Sequence, residues 1–289
     1  MTGGHGVARL DGRRIHYRRA GVDGPPVVLL HGGGVDDAEL SWKLTIEELA
    51  DAGYQVYAPD WPGYGESDPH PEPSIETYVE ILDEFLDALA LDTVSLVGIS
   101  MGGAAALGYT LDHSERVNKL TLVDSYGLGS TVPAGSLWYT LAHIPGANAA
   151  GWSMMGTSRE ATALGLGNVV HDPNAVPGTF VSDVRERASE TGAGRAFTRF
   201  QRNEIGPGGR VKTNYASRLD ELDIPVLLVH GEGDPLFPVH WARRAHEDIA
   251  DSALVVFEHC GHWSPREKPL RFNTNLVEFL RTGTEFDPN

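Results

Sequence analysis

Cysteine is almost absent from this 289-residue chain: the single thiol, Cys260, has no partner for an internal disulfide and fits a reducing compartment. Long apolar runs are missing too. No stretch approaches the ~20 residues that cross a bilayer as a helix. The opening Met1-Thr2-Gly3-Gly4-His5-Gly6 carries neither the basic nor the apolar region of a secretory leader. These absences set the expectation of a cytoplasmic protein. Positive charge is also scarce, with 23 Lys and Arg against 40 Asp and Glu and a net charge of −17, which argues against nucleic acid and anionic membranes as partners. Only four of the basic residues are lysine. Acid excess with little lysine suits a halophilic cytoplasm, where salt screens self-repulsion, although an ordinary acidic enzyme from a GC-rich genome has the same composition. The expected partner is a small-molecule substrate, with a homodimer left open. No repeat or low-complexity tract is present.

What is present is an alternation of strand and helix patterns. Residues 7–9 and 15–19 flank Asp11-Gly12 as a hairpin, followed by strand 27–31, a helix near 42–51, strand 55–59 and a helix near 74–90 capped by Ser74. Strand 93–98, helix 101–112 and strand 119–123 continue the series. It resumes with strand 224–230, a helix near 238–249, strand 253–257 and a helix near 267–281. Such alternation predicts an α/β fold, a mostly parallel twisted sheet covered by helices. The pattern lapses over 127–215, which has no comparable strand and carries scattered large side chains such as Trp138, Trp152, Met155, Phe180, Phe197 and Phe200. We read 1–126 and 216–289 as the core and 127–215 as an inserted helical cap (lid) over the carboxyl ends of the strands, where open α/β sheets bind ligands. Those side chains serve either a pocket or the cap's own small core.

Four strand ends carry the chemistry. Gly98-Ile99-Ser100-Met101-Gly102 follows a buried strand and opens a helix, a G-x-S-x-G elbow that strains the serine and exposes its hydroxyl. Ser100 is the candidate nucleophile; it needs a base, for which His262 is the candidate, and an acid to orient that base, for which Asp234 is the candidate. Asp124, after strand 119–123, competes as the acid, and His259 as the base. As a metal pair, His259 and His262 lack further ligands at zinc-like spacing. An oxyanion needs two fixed donors, expected from the amides of Met101 and Gly33, the latter in His31-Gly32-Gly33-Gly34. That loop lacks the Lys-Ser/Thr and the glycine spacing of a phosphate loop. Asp60 is read as fixing its own loop through backbone amides, and Cys260 as a small buried apolar residue. No cofactor or metal is expected.

The order Ser, Asp, His resembles the α/β-hydrolase superfamily over essentially the whole chain. More narrowly, His31-Gly32-Gly33-Gly34, Ser100-Met101-Gly102-Gly103, Gly127-Leu128-Gly129 and Gly261-His262-Trp263 look like the meta-cleavage-product hydrolases, which cut carbon–carbon bonds in ring-opened aromatic catabolites. The resemblance implies substrate contact for Trp263 and a dienoate-binding cap arginine, matched best by Arg185. Two positions depart: Ile99 and Ser41 stand where that family carries Asn, among the substrate-facing groups. The leading expectation is therefore a cofactor-free serine esterase acting on small, partly apolar carboxylic esters through an acyl-enzyme. Carbon–carbon hydrolysis of dienoates is the alternative, and a ligand receptor on a hydrolase scaffold is a third reading. Aspartate elbows, as in dehalogenases and most epoxide hydrolases of this fold, are excluded by Ser100.

Overall fold

A computed structural model describes residues 3–286. Eight strands form one sheet in the order β1-β2-β4-β3-β5-β6-β7-β8. They are β1 Gly4–Leu10, β2 Arg13–Ala20, β3 Pro26–Leu30, β4 Gln55–Pro59, β5 Val94–Ile99, β6 Val117–Val123, β7 Val226–Gly231 and β8 Ser252–Phe257. Only the pairs β1–β2 and β2–β4 are antiparallel. The chain runs outward from β3 to β4, then crosses back to β5 on the other side of β3, so the order reverses between β3 and β5. A crevice opens there at the carboxyl ends of the strands.

The central strands read as unbroken apolar runs because both their faces are covered. Val28 and Leu30 pack into one core layer and Val27 and Leu29 into the other. Helices α1 (Ala38–Asp51) and α11 (Pro269–Thr282) cover one face, and α2 (Ile75–Ala88), α3 (Met101–Asp112) and α9 (His240–Asp248) the other. Ser74 caps α2 as expected, accepting from Thr77 N–H at 3.1 Å. Helix α1 starts four residues before the expected position, because Asp37 caps it by accepting from Leu40 N–H. The last expected helix, near 267–281, is α11, which Pro269 opens at a position needing no N–H donor, and a short α10 (Ser264–Glu267) precedes it.

Between β6 and β7 lie α4 (Gly135–His143), α5 (Ala147–Gly156), α6 (Arg159–Leu166), α7 (Gly178–Ser189) and α8 (Arg195–Glu204). The ends of this insertion meet where Tyr215 N–H donates to Gly127 C=O at 2.8 Å. Its large side chains divide: Phe180 and Phe200 are buried, Met154 is exposed, and the buried ones extend the two core layers of the sheet. Helix α7 is tied to α1 by the ion pairs Lys43–Asp183 and Arg187–Asp37.

Candidate active site

Register brings the expected side chains to one edge. Leu30 pairs with Gly98, Ile99 with Val123, Val123 with Val229, and Gly231 with Phe257, so the loops after β3, β5, β6, β7 and β8 leave the sheet together. Ser100 sits on the turn between β5 and α3 with φ 55° and ψ −119°. The glycines around it are required by contact. A Cβ on Gly98 would lie 2.3 Å from Gly102 O, and one on Gly102 2.3 Å from Leu30 O.

Ser100, His262, Gly33, Met101, Ile99 and Trp263 line one cavity between the strand ends and the inserted helices. Its volume is about 160 Å³, room for a group of benzene size. His262 is buried, and its Nδ1 meets Asp234 Oδ2 at 2.8 Å. Asp234 Oδ1 is held by the N–H groups of Leu236 and Phe237, which fix the carboxylate. With Nδ1 so engaged, Nε2 is the imidazole nitrogen left for the cavity. Burial draws the His262 pKa down, but the Asp234 charge and hydrogen bond outweigh it, and the net shift is upward.

The competing residues hold other positions. Asp124 is fully buried and accepts from Gly231 N–H at 2.8 Å and from Ser264 Oγ–H at 2.7 Å, tying the ends of β6 and β7 to α10. Burial foremost, and then the Asp234 charge, push its pKa well up. His259 is exposed, its ring centroid 5.5 Å from that of His171. Asp60 accepts from Ala38 N–H at 2.9 Å and bonds His16 at 2.6 Å. Cys260 is buried, and burial pushes its thiol well up.

Among the described residues, the backbone N–H groups of Gly33 and Met101 have no protein acceptor. Met101 N–H is the first of α3 and an orphan donor by position. Gly33 is covered by the insertion: a Cβ there would meet the Phe197 ring at 2.5 Å.

Two expected substrate contacts are corrected. Arg185 is exposed and does not line the cavity. On α7 it stands two residues from Arg187, about 200° around the helix, and Arg187 is the one turned to the core, where it pairs with Asp37. Ser41 is 1% exposed and also lies outside the lining. Its hydroxyl accepts from Trp263 Nε1–H at 2.9 Å and donates to Asp36 Oδ2 at 2.7 Å. Asp36 Oδ2 accepts in turn from Gly32 N–H at 2.8 Å, so Ser41 links Trp263 to the loop carrying Gly33. Burial pushes Asp36 up to about 6, against the pull of His31 and these donors. Asp36 faces the cavity and sequence reasoning missed it; an acid five residues beyond His31 has no motif. Phe197, one of the side chains left open between a pocket and the cap's own core, faces the cavity, and its contact with Gly33 joins positions far apart in the chain.

The family model described as alpha/beta hydrolase fold matches residues 25–152, and one described as TAP-like protein matches 207–288. The 2-hydroxy-6-oxo-6-(2'-aminophenyl)hexa-2,4-dienoic acid hydrolase of Metapseudomonas resinovorans is 30% identical over 277 residues, covering 93% of this chain and 88% of that protein. The 2-hydroxy-6-oxononadienedioate/2-hydroxy-6-oxononatrienedioate hydrolase of Cupriavidus pinatubonensis is 29% identical, over 92% of this chain and 90% of its own. The solved meta-cleavage product hydrolase of Pseudomonas fluorescens superposes with a TM-score of 0.80 at 27% identity, covering 96% of this chain and 97% of its own.

Proposed function

Because this chain belongs to the α/β-hydrolase family, we propose that it is a serine hydrolase cutting the carbon–carbon bond beside a ketone in a ring-opened dienoate. The observation that supports this most is similarity to dienoate hydrolases over nearly the full length, insertion included. It shifts the preference from the ester cleavage expected of the sequence to its alternative.

In this reading Ser100 Oγ attacks the ketone carbon while His262 Nε2 takes its proton. Asp234 holds the imidazole and stabilises the imidazolium. The oxyanion is received by the free amides of Gly33 and Met101, which need no reorganisation as charge develops. The bond to the neighbouring carbon then breaks. For this the dienol must first have tautomerised to its keto form, its hydroxyl proton moved to that carbon; the carbon then departs as a dienolate, whose oxygen takes the proton back from His262. Water, activated by the same imidazole, releases the acid from Ser100. No cofactor enters the scheme.

Ester hydrolysis is the second reading, and the cavity wall favours it. Among the described residues its lining contains no lysine or arginine to meet a carboxylate, and Asp36 is acidic. Ester cleavage uses the same groups with an oxygen leaving group.

The test is turnover of 2-hydroxy-6-oxo-6-phenylhexa-2,4-dienoate beside p-nitrophenyl acetate, with a Ser100→Ala control. The proposal expects kcat/KM for the dienoate to exceed that for the ester by about 100-fold or more, a margin of ~2.7 kcal/mol in transition-state binding. Ester turnover with the dienoate untouched replaces it with the second reading. Binding without turnover of either class, equal in wild type and Ser100→Ala, returns a receptor.

A further inference from the structure

We propose that Gln201 is a specificity-determining residue whose side-chain amide donates a hydrogen bond to an acceptor oxygen on the part of the substrate remote from the bond being cut. The inference deepens the hydrolase reading of the Ser100 site and rests on it.

Gln201 lies on α8, lines the cavity and is 1% exposed. Among the described residues it is the one Asn or Gln side chain on a wall that is otherwise almost wholly apolar away from Ser100, His262 and Asp36. An uncompensated amide in such surroundings is costly, so its partners matter. They can be traced one proton at a time. Thr198 Oγ–H donates to Gly194 C=O at 2.9 Å, which commits its only proton. The group facing Thr198 Oγ1 must then be a donor, and it is Asn148 Nδ2, at 3.2 Å. That same Nδ2 lies 2.8 Å from the Gln201 amide, so the Gln201 atom it meets is the oxygen. Both protons of Asn148 Nδ2 and the Gln201 Oε1 are thereby assigned. Gln201 Nε2 remains, and among the described residues it has no protein partner. The Thr198 hydroxyl thus sets which end of Gln201 is left free, and that end carries two protons.

Position gives the ligand chemistry. Gln201 follows Phe197 by four residues on one face of α8, and both line the cavity together with Ile205, which ends the helix. Phe197 covers Gly33, whose amide faces the reacting carbonyl in the reading above. Gln201 therefore stands about one helical turn, ~5.4 Å along α8, from the residue that covers the oxyanion loop. A group reaching its free Nε2 is a carbonyl or carboxylate oxygen a few bonds from the scissile carbon. A substrate arm without that oxygen buries an unanswered donor, and a site built around a hydrogen bond discriminates against it.

The experiment compares p-nitrophenyl pentanoate, p-nitrophenyl 4-oxopentanoate and p-nitrophenyl hemiglutarate, which differ in the remote acceptor. Wild type is expected to prefer one of the acceptor-bearing esters over pentanoate by about 5- to 50-fold in kcat/KM; which of the two tells ketone from carboxylate. Gln201→Leu and Gln201→Met both remove the donor at similar volume, so both are expected to bring the ratio within about twofold of one. A wild-type ratio near one overturns the proposal. So does a ratio that survives substitution while all three esters slow together, which marks Gln201 as packing α5 against α8. If no ester turns over, the esterase activity fails by itself, and the proposal is read from binding. Calorimetric titration of Ser100→Ala with ethyl pentanoate, ethyl 4-oxopentanoate and monoethyl glutarate should show one of the acceptor-bearing esters bound more tightly than the pentanoate, with the margin lost on adding Gln201→Leu. Equal affinities overturn it.

Discussion

The two buried acids beside His262 behave differently because their oxygens are differently occupied. Asp234 has one oxygen on backbone amides and the other on the imidazole, whereas both oxygens of Asp124 are taken by Gly231 and Ser264. Asp234→Ala is expected to lower kcat by about 10³–10⁴-fold, because the base loses its tautomer and the imidazolium its counter-charge. Asp124→Ala leaves buried donors unanswered, and is expected to cost about 1–3 kcal/mol of stability in a denaturant melt with a much smaller loss of kcat. A larger kcat loss for Asp124 would move the acid there. The raised His262 pKa adds a pH prediction. The base works only when neutral, so kcat/KM falls as pH drops through that pKa, and the acid limb lies above the ~6.5 of a free imidazole. Asp234→Asn is expected to move the limb down. A limb at or below ~6.5 in wild type contradicts the geometry.

At the scale of elements, α7 shows how one helix divides two arginines between unlike tasks. Arg187 neutralises Asp37, whose carboxylate is nearly buried and caps α1, so the pair joins the insertion to the core at the helix entering beside the oxyanion loop. Arg187→Met leaves that carboxylate unpaired. It is expected to lower stability by about 1–3 kcal/mol, while Arg185→Ala stays within ~0.5 kcal/mol. Thermal melts of the two variants measure the difference. Discrimination between neutral and carboxylate-bearing substrates is expected to survive Arg185→Ala, since that side chain faces solvent. A selective loss for the charged substrate would return Arg185 to the site.

Charge acts on the whole molecule. At net −17, carboxylates repel one another across a surface with few lysines to offset them. Molar salt shortens that repulsion to ~3 Å, so Tm is expected to rise between low salt and molar potassium chloride. The same salt screens Lys43–Asp183 and Arg187–Asp37, which couples cap attachment to ionic strength in the opposite sense. A flat or falling profile leaves the acidic surface without a halophilic role.

The division between sequence and tertiary structure follows the range of each interaction. Local patterns suffice for the strands, whose apolar runs reflect burial on both faces, and for the elbow, where Gly98 and Gly102 answer contacts set by a tight turn. They suffice also for placing Ser100, Asp234 and His262 at strand ends, since strand direction sends those loops to one edge. Which acid meets His262, and what faces the cavity, depend on groups far apart in the chain. Ser41 holds Trp263 across 222 positions, and Arg187 holds Asp37 across 150. Arg185 and Arg187 look alike as residues of one helix, and only packing against α1 tells them apart. Nothing local in the sequence marks Gln201, whose oxygen is fixed only by Thr198 and Asn148. Hydrogen bonds are directional and few per side chain, so their allocation is decided only once the fold has chosen the neighbours.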